Sequence, residues 1–125
     1  MVDVRIRNFD FGEQFKKRTK TFALRVIKLF QSLPKNDEAQ IIGKQLLRSA
    51  TSVAANYRAT CRARSKAEFV AKIGVVLEEA DESLFWLEIL EEAEIIKPNL
   101  LAALKQEAFE LTAILATIRK NAAKK

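Results

Sequence analysis

Apolar residues recur along this chain at spacings of three and four, and nowhere do they alternate with period two over a useful length. That periodicity predicts helices that each bury one face. Four segments carry it, over residues 13–32, 38–62, 66–95 and 98–120, with tails at 1–12 and 121–125. Phe15, Thr19, Phe22, Val26, Leu29 and Leu33 form the stripe of the first. Ile42, Leu46, Ala50, Val53 and Tyr57 form that of the second. The third and longest carries Phe69, Ile73, Val76, Ala80, Leu84, Leu87 and, at its fraying end, Glu91. The fourth carries Leu101, Leu104, Ala108, Leu111, Leu115 and Ile118.

Local punctuation agrees with these limits. Pro34 disfavours a helical residue before it, and Asn36 or Asp37 can cap the next start. Ser65-Lys66-Ala67-Glu68 has the capping-box pattern, in which the serine hydroxyl bonds the N–H three residues on and Glu68 reaches back. Pro98 suits the first turn of a helix, where its missing N–H is no loss. With 125 residues there is room for one domain and one core, residues 1–125. Short connections make successive helices neighbours, so the expected fold is all-α, an antiparallel up-down four-helix bundle.

One stretch carries more apolar surface than such a bundle needs. Leu84-Phe85-Trp86-Leu87 puts four large apolar residues in succession, which wrap around the helix and require cover on all sides. Phe85 or Trp86 is therefore expected to pack against another subunit, making the protein an oligomer. The alternative is closure within the chain by the N-terminal segment, where Phe9 and Phe11 are at hand.

Charge is segregated behind a net value of +6. Residues 1–72 hold 16 Lys/Arg against 6 Asp/Glu, whereas residues 73–125 hold 6 against 10. A basic half favours phosphate backbones, while an acidic helix can pair with basic helices or face solvent. Arg58 and Arg62 lie one turn apart on the second helix, with Arg64 and Lys66 at the junction beyond. Lys16, Lys17 and Arg18, with Lys20, form a second group on the first helix. Arginine forks suit phosphate oxygens, so these residues are the candidate nucleic-acid contacts; the bland reading makes them solvated ends or partners of the third helix's acids. Arg48 stands apart. Flanked by Leu47 and Ala50, it is expected partly buried against Glu79 or Glu82, in a structural role. The small residues from Ser49 through Ser52 to Asn56 predict a close-packing face.

Catalytic chemistry is poorly provided for. There is no histidine, hence neither the commonest general base nor the commonest transition-metal ligand. Cys61 is the single cysteine, so no internal disulfide forms, and Arg58, Arg62 and Arg64 beside it leave a reactive thiol as a minor reading. Gly12, Gly43 and Gly74 are isolated, so no phosphate-cradling loop exists. Glu78, Glu79 and Glu82 have helical-cluster spacing, but diiron bundles also need Glu-x-x-His pairs. No enzyme activity, metal or cofactor is expected. No apolar run approaches the ~18 residues of a membrane span, and residues 1–11 lack a signal peptide's apolar core, so a cytoplasmic location without a membrane partner is expected. Tyr57 and Trp86 sit in apolar stripes and form no stacking platform, so any nucleic-acid binding is expected to be backbone-directed.

Three blocks of sequence carry a resemblance. They are Gln45-Leu46-Leu47-Arg48-Ser49-Ala50-Thr51-Ser52-Val53-Ala54-Ala55-Asn56, then Arg64-Ser65-Lys66-Ala67-Glu68-Phe69, then Glu78-Glu79-Ala80-Asp81-Glu82-Ser83-Leu84-Phe85-Trp86-Leu87-Glu88. In this order they resemble the four helix bundle proteins also called 23S ribosomal RNA intervening-sequence proteins, some of which are encoded within insertions in that rRNA gene. The likeness spans roughly residues 13–118. It implies a bundle assembled as a ring-like homopentamer. It also implies kinship with the accessory variability determinant of diversity-generating retroelements, a pentamer with a basic surface that binds nucleic acid and a reverse transcriptase. Arg48, Ser52, Asn56, Arg64, Ser65, Glu68, Glu82 and Trp86 match the family pattern and read as packing, capping and assembly residues. Ala59 and Thr60 depart from it, standing where relatives commonly have a glutamate and a small residue.

Two functional readings follow. The first is a non-enzymatic oligomeric bundle that binds RNA or DNA through basic residues, with a reverse transcriptase or another protein as a further partner. The second is a protein-interaction scaffold in which nucleic acid plays no part.

Overall fold

The computed structural model describes the backbone of residues 4–124 and the side chains of residues 9–124. Four helices account for nearly all of it: α1 (Val4–Gln31), α2 (Asp37–Thr60), α3 (Lys66–Glu92) and α4 (Pro98–Ala123). No strand occurs among the described residues. Helix α1 packs on α2 and on α4, α2 on α3, and α3 on α4, while among the described residues the backbones of the diagonal pairs do not approach closely. The α1–α4 seam is the sparsest of the four.

The apolar stripes meet in the middle. Phe22, Val26, Leu46, Val53, Ile73, Val76, Leu87, Leu101, Leu111 and Leu115 are fully buried in one cluster that draws on all four helices. Each such side chain contributes about 1.5–3 kcal/mol relative to exposure. Thr19, Ser49 and Thr60 are buried too, but their hydroxyls donate to carbonyls of their own helices, to Lys16, Leu46 and Asn56 respectively. No buried side-chain nitrogen or oxygen among the described residues lacks a partner.

The helix limits differ most at the N-terminus. Helix α1 begins by Val4 rather than at residue 13, so the expected tail 1–12 is helical from residue 4, while residues 1–3 lie outside the described residues. A lone Gly12 weakens a helix by about 1 kcal/mol without ending it. Phe11 also stacks one turn ahead on Phe15, with ring centroids 5.5 Å apart. The expected tail at 121–125 is helical as far as Ala123. Phe15 in turn meets Tyr57 edge-on at 4.8 Å. At the far end of the same helix pair, Phe30 and Leu33 crowd the backbone of Gly43, where a Cβ would lie 2.4 Å from Leu33 Cδ1. A side chain there would require Leu33 and Phe30 to shift.

Capping follows the expected residues, with one difference. Asn36 accepts a hydrogen bond from the Ala39 N–H at 3.0 Å, and Ser65 accepts from the Glu68 N–H at 3.1 Å. The reciprocal half of the capping box does not form among the described residues. Glu68 instead turns toward Lys72, 3.9 Å away on the next turn.

Helix α3 stops earlier than its apolar pattern. Glu94 adopts φ 59°, the left-handed region. The Ile95 N–H reaches back to Leu90 O at 3.0 Å and the Glu94 N–H to Glu91 O at 2.9 Å, which is a Schellman ending with glutamate where glycine is usual. A side chain in that conformation carries about 1 kcal/mol of strain. Glu94→Gly is therefore expected to raise the melting temperature by about 2–5 °C. An unchanged or lower midpoint in thermal unfolding would contradict this account of the turn.

Candidate nucleic-acid interface

Small residues let α2 and α3 approach closely. At their seam Ser83 Oγ donates to Ser49 Oγ at 2.9 Å, both residues being buried. Immediately outside that contact, Arg48 Nη1 donates to Glu79 Oε2 at 2.9 Å and its Nη2 donates to Glu82. Trp86 Nε1 donates to the same Glu82 oxygen at 3.1 Å. Arg48 thus engages both of the carboxylates that the sequence offered, but from an exposed position, its side chain 49% accessible, and not from the partly buried one expected. The belt residue Trp86 is tied into the cluster. Ser52 and Asn56 bond within α2, the Asn56 amide donating to the Ser52 carbonyl at 3.0 Å.

The belt at Leu84–Leu87 divides. Leu87 is fully buried, Leu84 and Trp86 lie partly against the core, and Phe85 is 48% exposed. Phe9 and Phe11 do not cover Phe85. They line a pocket with Tyr57, Cys61 and Phe69 at the end where α2 finishes and α3 begins.

The basic residues also divide, according to what faces them. Arg18, which the sequence reading grouped with the candidate phosphate contacts, is already paired with carboxylates of α4. Its Nε and Nη2 donate to the two oxygens of Glu107, each at 2.8 Å, and Nη2 also donates to Glu110 at 2.8 Å. This bidentate bridge joins α1 to α4 across their sparse seam, and the two carboxylates hold the guanidinium pKa above its ordinary value, with burial opposing. Lys66 Nζ donates to the Lys124 carbonyl, tying the start of α3 to the end of α4. Arg64 is exposed in the α2–α3 connection.

The remaining cations converge. Lys16, Lys17 and Lys20 from α1 face Arg58 from α2 across a groove of about 470 Å³. Arg62 joins them from just past the end of α2 at Thr60, and not from within the helix as the sequence reading had it. Thr51, Ala54 and Ala55 line it with Ala23. The small side chains of α2 keep the space between the two helices open, so the long cationic side chains stand along its sides. Glu13 is the one carboxylate in the lining, and it pairs with Lys16 one turn away. No ion pair involves Lys17, Lys20, Arg58 or Arg62 among the described residues. The two basic groups read separately in the sequence thus form one electropositive channel, which Arg64 and Lys66 do not line. The part of Ala54 and Ala55 was missed in the sequence, where small residues on α2 were read only as a packing face.

No group of three or more His, Cys, Asp or Glu side chains comes together as a metal-holding cluster among the described residues. Cys61 is exposed. No helix of the described chain is long and apolar enough to cross a membrane.

Four helices packed around one core place the protein in the class of small helical bundle proteins. Within it, residues 13–117 match the family described as 23S rRNA-intervening sequence protein, and the chain belongs to that family. It is similar to a solved structure from Bacteroides thetaiotaomicron VPI-5482, described as a protein with unknown function from the S23 ribosomal protein family. The two share 33% identity and superpose with a TM-score of 0.78, over 84% of this chain and 97% of that one. Comparison with curated protein sequences gives no match.

The seam cluster has a consequence for acid stability. The Trp86 N–H, followed by Arg48, holds the Glu82 carboxyl below its ordinary value of 4.5, with burial opposing. A depressed folded-state pKa means that this carboxylate's contribution is complete above about pH 4.5 and is lost as pH falls through the folded value. Glu82→Gln is expected to destabilise at neutral pH and to flatten the loss on acidification. Urea unfolding at neutral pH and near pH 3 checks this; an equal difference between the two proteins at both values would contradict it.

Proposed function

We propose that this protein is a non-enzymatic, self-associating helical bundle that binds the phosphodiester backbone of RNA or DNA along the α1–α2 groove. The observation that carries the reading is the convergence of Lys16, Lys17, Lys20, Arg58 and Arg62 on one channel with a single, already paired carboxylate. Membership of the rRNA intervening-sequence family is compatible with it. Several lysines and arginines aligned along a cleft neutralise successive phosphates, which makes binding strongly salt-dependent and weakly selective for sequence.

The bundle is taken as antiparallel and up-down. Contacts of Phe15 with Tyr57 and of Phe30 with Gly43 support this for α1 and α2. The Lys105–Glu91 and Lys66–Lys124 contacts support it for α3 and α4. Self-association is placed on the outer faces of α3 and α4. There Phe85 and Phe109 are 48% and 59% exposed, a larger apolar display than an isolated bundle needs. A ring of five subunits is the stoichiometry that the family resemblance implies.

Binding is tested by fluorescence anisotropy with labelled RNA and DNA oligonucleotides at increasing salt. The wild-type protein is expected to bind at 50 mM salt and to weaken by at least about tenfold by 200 mM. Arg58→Gln with Arg62→Gln should weaken binding about tenfold without changing the oligomer, whereas Arg18→Gln should lower stability in preference to affinity. Absence of binding at low salt would end the proposal.

Assembly is tested by light scattering. A mass several times that of the 14.2 kDa chain is expected, reduced by Phe85→Glu. A monomer at micromolar concentration would contradict the placement on α3.

A further inference from the structure

An aromatic pocket of about 650 Å³ opens at the end of the groove, and the two share Glu13, Lys16, Arg58 and Arg62. Its volume falls within the range of ~300–1,000 Å³ usual for small-molecule sites. Phe9 and Phe11 stand in it 67% and 44% exposed, far more than aromatic rings of a packed core. Phe11 is nevertheless held in place, because it stacks on buried Phe15 at an interplanar angle of 11°, and Phe15 is wedged against Tyr57. One ring face is therefore fixed by the protein while the aromatic group as a whole remains open to a ligand. Phe69 and Ile118 supply further apolar wall. Asn121 offers both a donor and an acceptor. Burial, with Cys61 next in effect, raises the Tyr57 hydroxyl well above its ordinary pKa.

We infer that this pocket receives an unstacked base, so that the nucleic acid bound in the groove is single-stranded where it passes α1. The inference rests on the proposed groove binding and names its substrate class. Two features of the pocket carry it. The cations at its mouth are those of the groove, so a strand whose phosphates track Lys17, Arg58 and Arg62 brings a nucleoside to the aromatic opening. The lining beyond that mouth is apolar and aromatic with a few polar groups, which matches a base face with polar edges rather than another phosphate. A duplex makes this contact only by unpairing and unstacking a base, so it binds the pocket less readily than a single strand does.

The test compares three labelled probes of equal length: a single strand, the same strand with abasic sites along its centre, which keeps its charge, and a duplex. The duplex carries twice that charge and serves only as the base-independent reference for the groove. Wild-type protein is expected to bind the intact single strand about tenfold more tightly than the abasic one. Phe9→Ala, at an exposed position, and Phe11→Ala should each remove most of that difference while leaving duplex affinity within about twofold. A wild-type protein that binds intact and abasic strands equally overturns the base pocket and leaves the groove standing. Failure to bind any of the three overturns both. Equal loss on all probes in both phenylalanine variants, with melting temperatures unchanged, overturns the pocket in favour of a general role for α1 in positioning the groove.

Discussion

Whether an arginine meets a carboxylate across a helix seam decides what that arginine does in this protein. Arg48 meets Glu79 and Glu82 on α3, and Arg18 meets Glu107 and Glu110 on α4. Both are thereby committed to holding helices together. Across the α1–α2 seam the facing side chains are lysines, arginines and small residues, with Glu13 alone as counter-charge. Like charges on two helices repel, so that seam is held by its apolar layer, by Phe15 on Tyr57 and by Phe30 and Leu33 over Gly43. In the proposed function the cations above that layer, which pair with no carboxylate among the described residues apart from Lys16 with Glu13, are the ones that meet phosphate. Charge segregation along the chain thus becomes charge segregation in space: bridges on the α2–α3 and α1–α4 seams, and a channel between α1 and α2.

Small side chains act in two ways on α2. On its inner side Ser49 and Ala50 let α3 come close enough for the serine–serine hydrogen bond, which sets the register that brings Arg48 to its acids. On the outer side Thr51, Ala54 and Ala55 leave room beside α1 for the groove. A bulky residue at Ala54 or Ala55 would fill the channel without touching the core. Fold and proposed function therefore draw on the same stretch through opposite faces of one helix.

Much of the fold was legible in the sequence. Spacing alone identified stripe residues that are buried in the structure on every helix, and Asn36 and Ser65 cap the helices they precede. The start of α1 was not legible, because the mixed polarity of residues 1–12 read as a tail, while the Phe11–Phe15 stack acts only once the helix exists. Neither was the left-handed Glu94, since glutamate gives no turn signal. The site was half legible. Periodicity exposes basic residues on α1 and α2, but not which side of α1 faces α4. Consequently Arg18, 89 positions from Glu107, was grouped with lysines that it points away from. The meeting of Lys16, Lys17 and Lys20 with Arg58 and Arg62 depends on the α1–α2 register, which the packing at Gly43 and Phe15 sets.

The central claim is that this channel, rather than any other basic surface, holds a phosphodiester backbone. Photo-crosslinking of bound RNA followed by mass spectrometry of the digested protein tests it directly. The account predicts crosslinked peptides from α1 around Lys16–Lys20 and from the α2 segment around Arg58–Arg62. Crosslinks confined to α3 and α4, with those two segments untouched, would contradict it.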